Sequence, residues 1–315
     1  PAPAASTQVN WKGAPEIKGE GGWSFKPRGR INIDAGFVNA PDSTGRDEGY
    51  GSTVRRARVG VQGDMPGGFG YKFEFDVAGN ELDITDALIS YEAGDLTVSV
   101  GQRNQFQNLD ELTSSLHSSF IERSAITDAF GFERKLGVSL EYATGDVLLQ
   151  TAIYNDNFDD LSNKNWGTAG RVVYMPKLGD NQLHLGASVD FSNLEEGSSV
   201  RYRQRPLVNF TSERFVNTGQ ISADSERAFG LEAAGIFGQF HVAGFQRLRG
   251  VQNGGLDGFR GLPRLGQLFV RHAAQRIDLA LHLFHDGVVV FIGLAHCGFK
   301  ISPLKNHLCF LTHGV

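Results

Sequence analysis

Hydrophobic and polar residues alternate along most of the first 250 positions. Ile31, Ile33, Ala35 and Phe37 share one parity, and Arg30, Asn32 and Asp34 share the other. Tyr71, Phe73, Phe75 and Val77 are set against Lys72, Glu74 and Asp76, and Leu96, Val98 and Val100 against Thr97 and Ser99. The same holds for Leu136, Val138, Leu140 and Tyr142 against Lys135, Ser139 and Glu141. Leu183, Leu185, Ala187 and Val189 likewise oppose His184, Ser188 and Asp190. Period two marks a strand with two unlike faces. Turn sequences separate the runs, as in Asp64-Met-Pro-Gly-Gly68, Glu92-Ala-Gly-Asp95, Thr144-Gly-Asp146 and Leu178-Gly-Asp-Asn181. The pattern predicts about ten or eleven strands before residue 250, joined as antiparallel hairpins.

A soluble β-sandwich alternates in this way, and so does a transmembrane β-barrel. Two details point to the barrel. Apolar faces often end in an aromatic (Tyr71, Tyr91, Tyr142), as at a membrane interface, while the opposite faces carry both signs of charge, as a wet lumen would. Connection lengths also alternate. Short turns at 64–70 and 92–95 face longer segments at 39–53, 102–134, 155–168 and 191–199, the asymmetry of outer-membrane barrels. The longest, Gln102 to Arg134, carries apolar anchors (Phe106, Leu109, Leu112, Leu116, Phe120, Ile121) and is expected to pack against something rather than hang in water. The expected organisation is an N-terminal extension over 1–29, a barrel region over 30–250 and an atypical tail over 251–315.

Composition narrows the function. The 315 residues include 40 Gly and 23 Phe but only two Met, as in a turn-rich β protein, and the net charge of −5 argues against a general nucleic-acid binder. No apolar run reaches the roughly 18–20 residues of a spanning helix, which leaves strands as the only means of crossing a membrane. No Walker sequence, nucleophile elbow or HExxH motif supports an enzyme. The cationic stretch Val200-Arg-Tyr-Arg-Gln-Arg-Pro206 stands out against the acidic whole. In an extended chain Arg201, Arg203 and Arg205 leave from one face about 7 Å apart, an arrangement that calls for water or an anion to screen it. Arg55, Arg56 and Arg58 form a second group, for which cross-strand pairing with Glu74 and Asp76 is the plainer alternative.

Several segments in order resemble one family: Val54-Arg-Arg-Ala-Arg-Val-Gly-Val-Gln-Gly63, Thr85-Asp-Ala-Leu-Ile-Ser-Tyr91, Val100-Gly-Gln-Arg-Asn-Gln-Phe106, Leu112-Thr-Ser-Ser115, Phe120-Ile-Glu-Arg-Ser124 and Arg201-Tyr-Arg-Gln-Arg-Pro206. Together they resemble the phosphate- and polyphosphate-selective porins of Gram-negative outer membranes, the porin O/P family. The resemblance implies a sixteen-stranded barrel in outer-membrane lipid, assembled as a homotrimer, that passes phosphate-type anions passively and needs no cofactor. It implies that the connection within Gln102 to Arg134 folds inward as a constriction. It also implies a ladder of pore-lining arginines, with Arg55, Arg56, Arg58, Arg103, Arg201, Arg203 and Arg205 as rungs and Asp86 beside the track; Arg134 and Arg171 lie in matching segments. A soluble β-rich polyanion-binding protein and a truncated, non-functional copy of such a porin are the alternatives.

The composition changes near residue 250. Residues 251–315 hold no Glu, Tyr or Trp, yet carry Cys297, Cys309 and six of the nine His. Leu262 to His285 reads as a short amphipathic helix, and the segment as a whole as a frameshifted or otherwise foreign C-terminus. The spacing of His285, His296, Cys297, His307 and Cys309 fits no usual metal-ligand pattern.

Overall fold

The computed structural model describes residues 7–11, 14–39, 49–118, 120–131, 133–161, 164–205, 207–214, 216–238 and 240–252, together with the backbone of short strands between 260 and 296. Before residue 253 it contains eleven long strands of 8 to 17 residues, matching the number expected from the alternation. They are β1 (Ser24–Val38), β2 (Gly49–Met65), β3 (Phe69–Asp76), β4 (Asp83–Ala93), β5 (Leu96–Asn104) and β6 (Arg134–Thr144). The series continues with β7 (Val147–Tyr154), β8 (Trp166–Tyr174), β9 (Asn181–Asn193), β10 (Ser225–Phe237) and β11 (Phe240–Gln252). Each pairs antiparallel with the next, so chain order is sheet order. The first long strand starts at Ser24, ahead of Arg30 where the alternation first becomes clear, and the short strand Glu16–Lys18 pairs with its beginning.

Three of the hairpins turn on the same dipeptide, Gly94-Asp95, Gly145-Asp146 and Gly179-Asp180. The glycines at 94 and 145 have φ of 62° and 55°. A two-residue hairpin with positive φ at its first turn position matches the twist of the flanking strands, and glycine adopts it without strain. These turns, with 66–68 and Gly238, lie at one end of the sheet. The longer connections 77–82, 105–133, 155–165 and 194–224 leave from the other.

Burial is inverted relative to a soluble protein. Ile31, Ile33, Phe37, Ile89, Ile153 and Leu231 are exposed on the outer face, Ile31 at 71 % and Phe37 at 72 %. The inner face buries Arg56, Glu74, Asp86, Gln102, Arg171, Asp190, Glu232 and Arg247, with Glu74 and Arg247 each only 2 % exposed. In water this arrangement would waste the hydrophobic effect on every strand; in a bilayer it puts apolar side chains against acyl chains and keeps charge in the interior. Exposed aromatics mark both rims. Phe69, Tyr91, Tyr142, Tyr174, Phe237 and Phe240 stand near the short turns, and Phe37, Tyr50, Trp166 and Phe191 near the long connections. Aromatic girdles of this kind sit at the two membrane–water interfaces.

Among the described residues the sheet continues past β11 with five further strands, two of them longer than two residues, correcting the helix expected over Leu262 to His285. β12 (Leu265–His272) pairs antiparallel with β11 from Phe240↔His272 to Arg247↔Leu265, and β13 (Ile277–Leu281) pairs with β12. An open edge in lipid leaves backbone N–H and C=O groups without water, and satisfying them outweighs a weak helical periodicity. Cys297, Cys309, His285 and His307 lie outside the described residues. Among the described residues no pairing joins β1 to the far edge of the sheet.

Candidate functional site

The inner face is organised by two bulges. In the β1–β2 ladder Asn32 faces Arg56 and Ile33 faces Val54, so Arg55 is an extra residue on β2. Neighbours in a regular strand point to opposite faces; the bulge lets Arg55 and Arg56 both reach Glu122. In the β3–β4 ladder Glu74 faces Asp86 and Phe75 faces Ile84, so Thr85 is the extra residue. Thr85 then turns inward, donating from Oγ1 to the Glu74 carbonyl at 2.9 Å, while Asp86 stays on the inner face.

Carboxylates on this wall hold the arginines in fixed positions. Arg30 donates to both oxygens of Glu74 at 2.8 and 2.9 Å. Arg58 reaches the same carboxylate at 3.2 Å and Asp76 at 2.8 Å, and Arg28 stands 3.9 Å from Glu74. Asp86 pairs with Lys72 and, at 2.9 Å, with Arg134. Arg103 pairs with Glu141 at 2.5 Å and lies over the Phe106 ring. Across the sheet Arg171 donates to Gln150 at 2.6 Å and to Glu232, which also meets His184 Nε2 at 2.9 Å. Of the plainer pairings weighed from sequence, Arg58 makes those with Glu74 and Asp76, whereas Arg55 and Arg56 take Glu122 from the constriction connection.

That connection, residues 105–133, crosses the inner face. Two short helices shape it: α1 (Leu109–Leu112), whose Asn108 side chain accepts from the Glu111 N–H, and α2 (Ala125–Phe130), capped in the same way by Ser124. Ser114 and Ser115 accept from Arg30 on β1, while Leu109 N–H donates to Glu232 on β10 at 2.6 Å. The Gln107 carbonyl accepts from Ser188 on β9 at 2.6 Å, and the Gln107 side chain accepts from Arg247 on β11. One segment thus bridges the first strand and the last of the eleven across the inner face. It is also tied to itself: Arg123 donates to the Glu111 carboxylate at 2.8 Å and to the carbonyls of Glu111 and Thr113.

Glu111 lies in the connection, away from the spanning strands. Burial pushes its carboxyl up to about 7, against the pull of Arg123 and Arg134. A carboxyl whose folded value exceeds its unfolded one adds stability that is complete below the ordinary 4.5 and is lost as pH rises through about 7. The melting midpoint of the detergent-solubilised protein is therefore expected to fall between about pH 5 and pH 7.5, and Glu111→Gln to flatten that slope. An unchanged slope in the variant would assign the pH dependence to another group.

Arg201, Arg203 and Arg205 differ in setting from what their strand-like spacing suggested. They lie on the connection 194–224, not on a wall strand; only Arg203–Gln204 is strand, paired with Val216–Asn217. Alternation survives there. Tyr202 and Gln204 are buried while Arg201 and Arg203 are exposed and Arg205 is half-buried. Pro206, next in the sequence, has no N–H to donate to a ladder. Desolvation, then the charges of Arg205, Arg203 and Arg201 push the Arg214 guanidinium down, which places four cations in one field. Asp128 of α2 accepts from Arg205 N–H at 2.5 Å and stands 3.8 Å from its guanidinium.

Sequence reasoning missed Arg247 and Arg249, which face inward from β11. Their spacing in Gln246-Arg-Leu-Arg-Gly250 repeats that of Arg201 and Arg203 and could have been found by the same rule. Arg30, paired with Glu74, and Glu122, the partner of Arg55 and Arg56, were also missed; Glu122 was beyond reach because a bulge and a folded connection bring it there.

The family profile described as Phosphate-selective porin O and P matches residues 25–250. An uncharacterized protein of Caulobacter vibrioides is 42 % identical over 254 residues, covering 76 % of this chain and 51 % of that protein, so the chain spans about half the length of this relative. Among solved structures, the loop L8 deletion mutant of the Vibrio cholerae outer membrane protein OmpT aligns with a TM-score of 0.54 at 12 % identity, over 80 % of this chain and 78 % of that one. Pseudomonas putida OprB aligns equally well, with a TM-score of 0.54 at 12 % identity over 82 % and 73 %. At such identities the likeness speaks for the fold, an outer-membrane β-barrel. With an inverted sheet, two aromatic girdles, an inward-folded connection and a profile match over most of its length, this chain belongs to the phosphate-selective porin O and P family of outer-membrane proteins.

Proposed function

We propose that the chain forms an anion-selective passage for phosphate-type anions, entered past Arg201, Arg203, Arg205 and Arg214 and assembled as the homotrimer that the family resemblance implies. The observation that carries this reading is the run Arg201, Arg203 and Arg205 on one long connection, with Arg201 and Arg203 exposed and Arg205 3.8 Å from Asp128. Guanidinium groups present forked donors that suit phosphate oxygens and remain charged at all physiological pH values. Deeper along the wall, Arg55, Arg56, Arg58, Arg103, Arg134 and Arg171 each have a carboxylate partner. An anion there competes with a resident carboxylate, so it binds weakly and moves on, which passive conduction requires. Asp86, held between Lys72 and Arg134, tempers the field of both.

A second reading, a wall that does not close and does not conduct, is favoured by the edge of β1, which beyond Phe25 has no partner on its outer side among the described residues. The reversal potential in a potassium chloride gradient across a planar bilayer separates them. An anion-selective value supports the first reading, a cation-selective one overturns it, and inserted protein without conductance supports the second.

A further inference from the structure

The interior of the sheet is polar almost everywhere, yet one dry cluster lies within it: Ile126 and Phe130 of the constriction connection, Tyr202 and Ala223 of the arginine-bearing connection, and Phe245 and Val251 of β11. The Phe130 and Tyr202 rings meet edge to face, centroids 5.7 Å apart. Arg249 of β11 spans both, 5.5 Å from the Phe130 centroid and 5.4 Å from that of Tyr202, and donates to the Phe130 carbonyl at 2.8 Å. Glu226 of β10 accepts from the Tyr202 hydroxyl and stands 3.7 Å from Arg249 Nε. This joint fastens the alternate residues of the arginine run. Tyr202 and Gln204 point into protein, so Arg201 and Arg203 point away from it, while Arg205 is half-buried beside Asp128. Mutual repulsion among four cations favours spreading the connection, and buried aromatic packing with charge-assisted hydrogen bonds opposes that.

We infer that Tyr202, Glu226 and Arg249 are positioning residues for ion selectivity: they dock the arginine-bearing connection onto the constriction, and so determine where its guanidiniums stand relative to the passage. The inference rests on the anion-selective reading above. Its sign separates it from simple electrostatics. Glu226→Gln removes a negative charge near the passage, so a direct charge effect raises anion preference. Loosening the joint lowers it, because the cations spread and their field is diluted.

The experiment uses the full chain in planar bilayers in potassium chloride, with heat-modifiable migration as the check on folding. Glu226→Gln and Tyr202→Leu are each expected to lower the anion-to-cation permeability ratio by about threefold or more, with single-channel conductance changed less than the ratio. Tyr202→Leu changes no charge, so a fall there speaks for geometry alone. If Tyr202→Leu does not fold, Glu226→Gln decides by its sign: a ratio that rises or stays level in folded protein overturns the inference. Arg201→Ala, Arg203→Ala and Arg205→Ala combined serve as the control on the underlying reading. If that triple variant leaves the ratio unchanged, anion selection by this cluster fails; if it lowers the ratio while the joint variants do not, the positioning role alone fails.

Discussion

Replacing Arg201, Arg203 and Arg205 together by alanine is expected to reduce the anion-to-cation permeability ratio on the order of tenfold. A monovalent ion about 6 Å from a unit charge in water-like surroundings feels about 0.7 kcal/mol. Physiological salt roughly halves this at such distances, so three guanidiniums supply about 1 kcal/mol for an anion. The same charges repel a cation by a similar amount, and the ratio senses both, so about 2 kcal/mol is at stake and tenfold is the conservative figure. The reversal potential in a potassium chloride gradient measures it directly. The effect should shrink when the same gradient is set up at molar salt, where the screening length is about 3 Å. An unchanged ratio at physiological salt would remove the cluster from the passage altogether.

Why this cluster outweighs the others follows from compensation. Arg58 has Glu74 and Asp76, Arg171 has Glu232, and Arg55 with Arg56 shares Glu122. From a distance Arg171 with Glu232 is a weak dipole, while Arg55 and Arg56 with their shared Glu122 keep one net positive charge. In the connection 194–224 Arg201 and Arg203 are exposed, and Arg201 donates to the neutral Asn217 side chain at 2.9 Å, so among the described residues neither is held against a carboxylate, although Glu195, Glu196, Glu213 and Asp224 share the connection. The acidic balance of the whole chain, −5, is no obstacle, because screening confines each field to its own neighbourhood.

Much of the architecture was legible in the sequence because its cause is local. Lipid on one side and water on the other enforce period two on every strand. The eleven strands, the inversion of burial and the Gly-Asp hairpins follow from that rule. Of the six apolar anchors read in the long connection only Phe106 is buried; Leu109, Leu112 and Phe120 are half-buried, Leu116 and Ile121 are exposed, and Ile126 and Phe130 of α2, which the pattern did not single out, supply the buried contacts instead. What stayed hidden depends on register and on distant contacts. The extra residues Arg55 and Thr85 shift the parity of β2 and β4, and no composition rule locates a bulge. Arg201 to Arg205 looked like a wall strand because extended backbone alternates whether or not it belongs to the sheet; here Tyr202 is pinned by Phe130, a contact between residues 72 positions apart. The strands at 265–272 and 277–281 are drawn out by the open edge of β11, which a helical periodicity count does not see.

The largest expected loss of stability comes from Glu74→Ala. Three guanidiniums converge on this carboxylate, those of Arg30, Arg58 and Arg28, and it is 2 % exposed. Removing one partner of a buried ion pair typically costs about 3–5 kcal/mol, because the remaining charge is desolvated and uncompensated. Asp76 continues to hold Arg58 at 2.8 Å, so the penalty falls mainly on Arg30 and Arg28. The melting midpoint of the detergent-solubilised variant, in buffer free of multivalent anions, is the quantity to measure. Phosphate should then restore part of the loss, since the vacancy is an anion-shaped hole lined by forked donors. Ligand at ten times its dissociation constant restores about 1.4 kcal/mol, so the midpoint should climb with phosphate concentration in the variant and hardly move in the parent. A variant as stable as the parent would mean that Glu74 merely accompanies these arginines. A destabilised variant indifferent to phosphate would mean that the wall is closed to the anion at this depth, leaving the cluster on 194–224 to act alone.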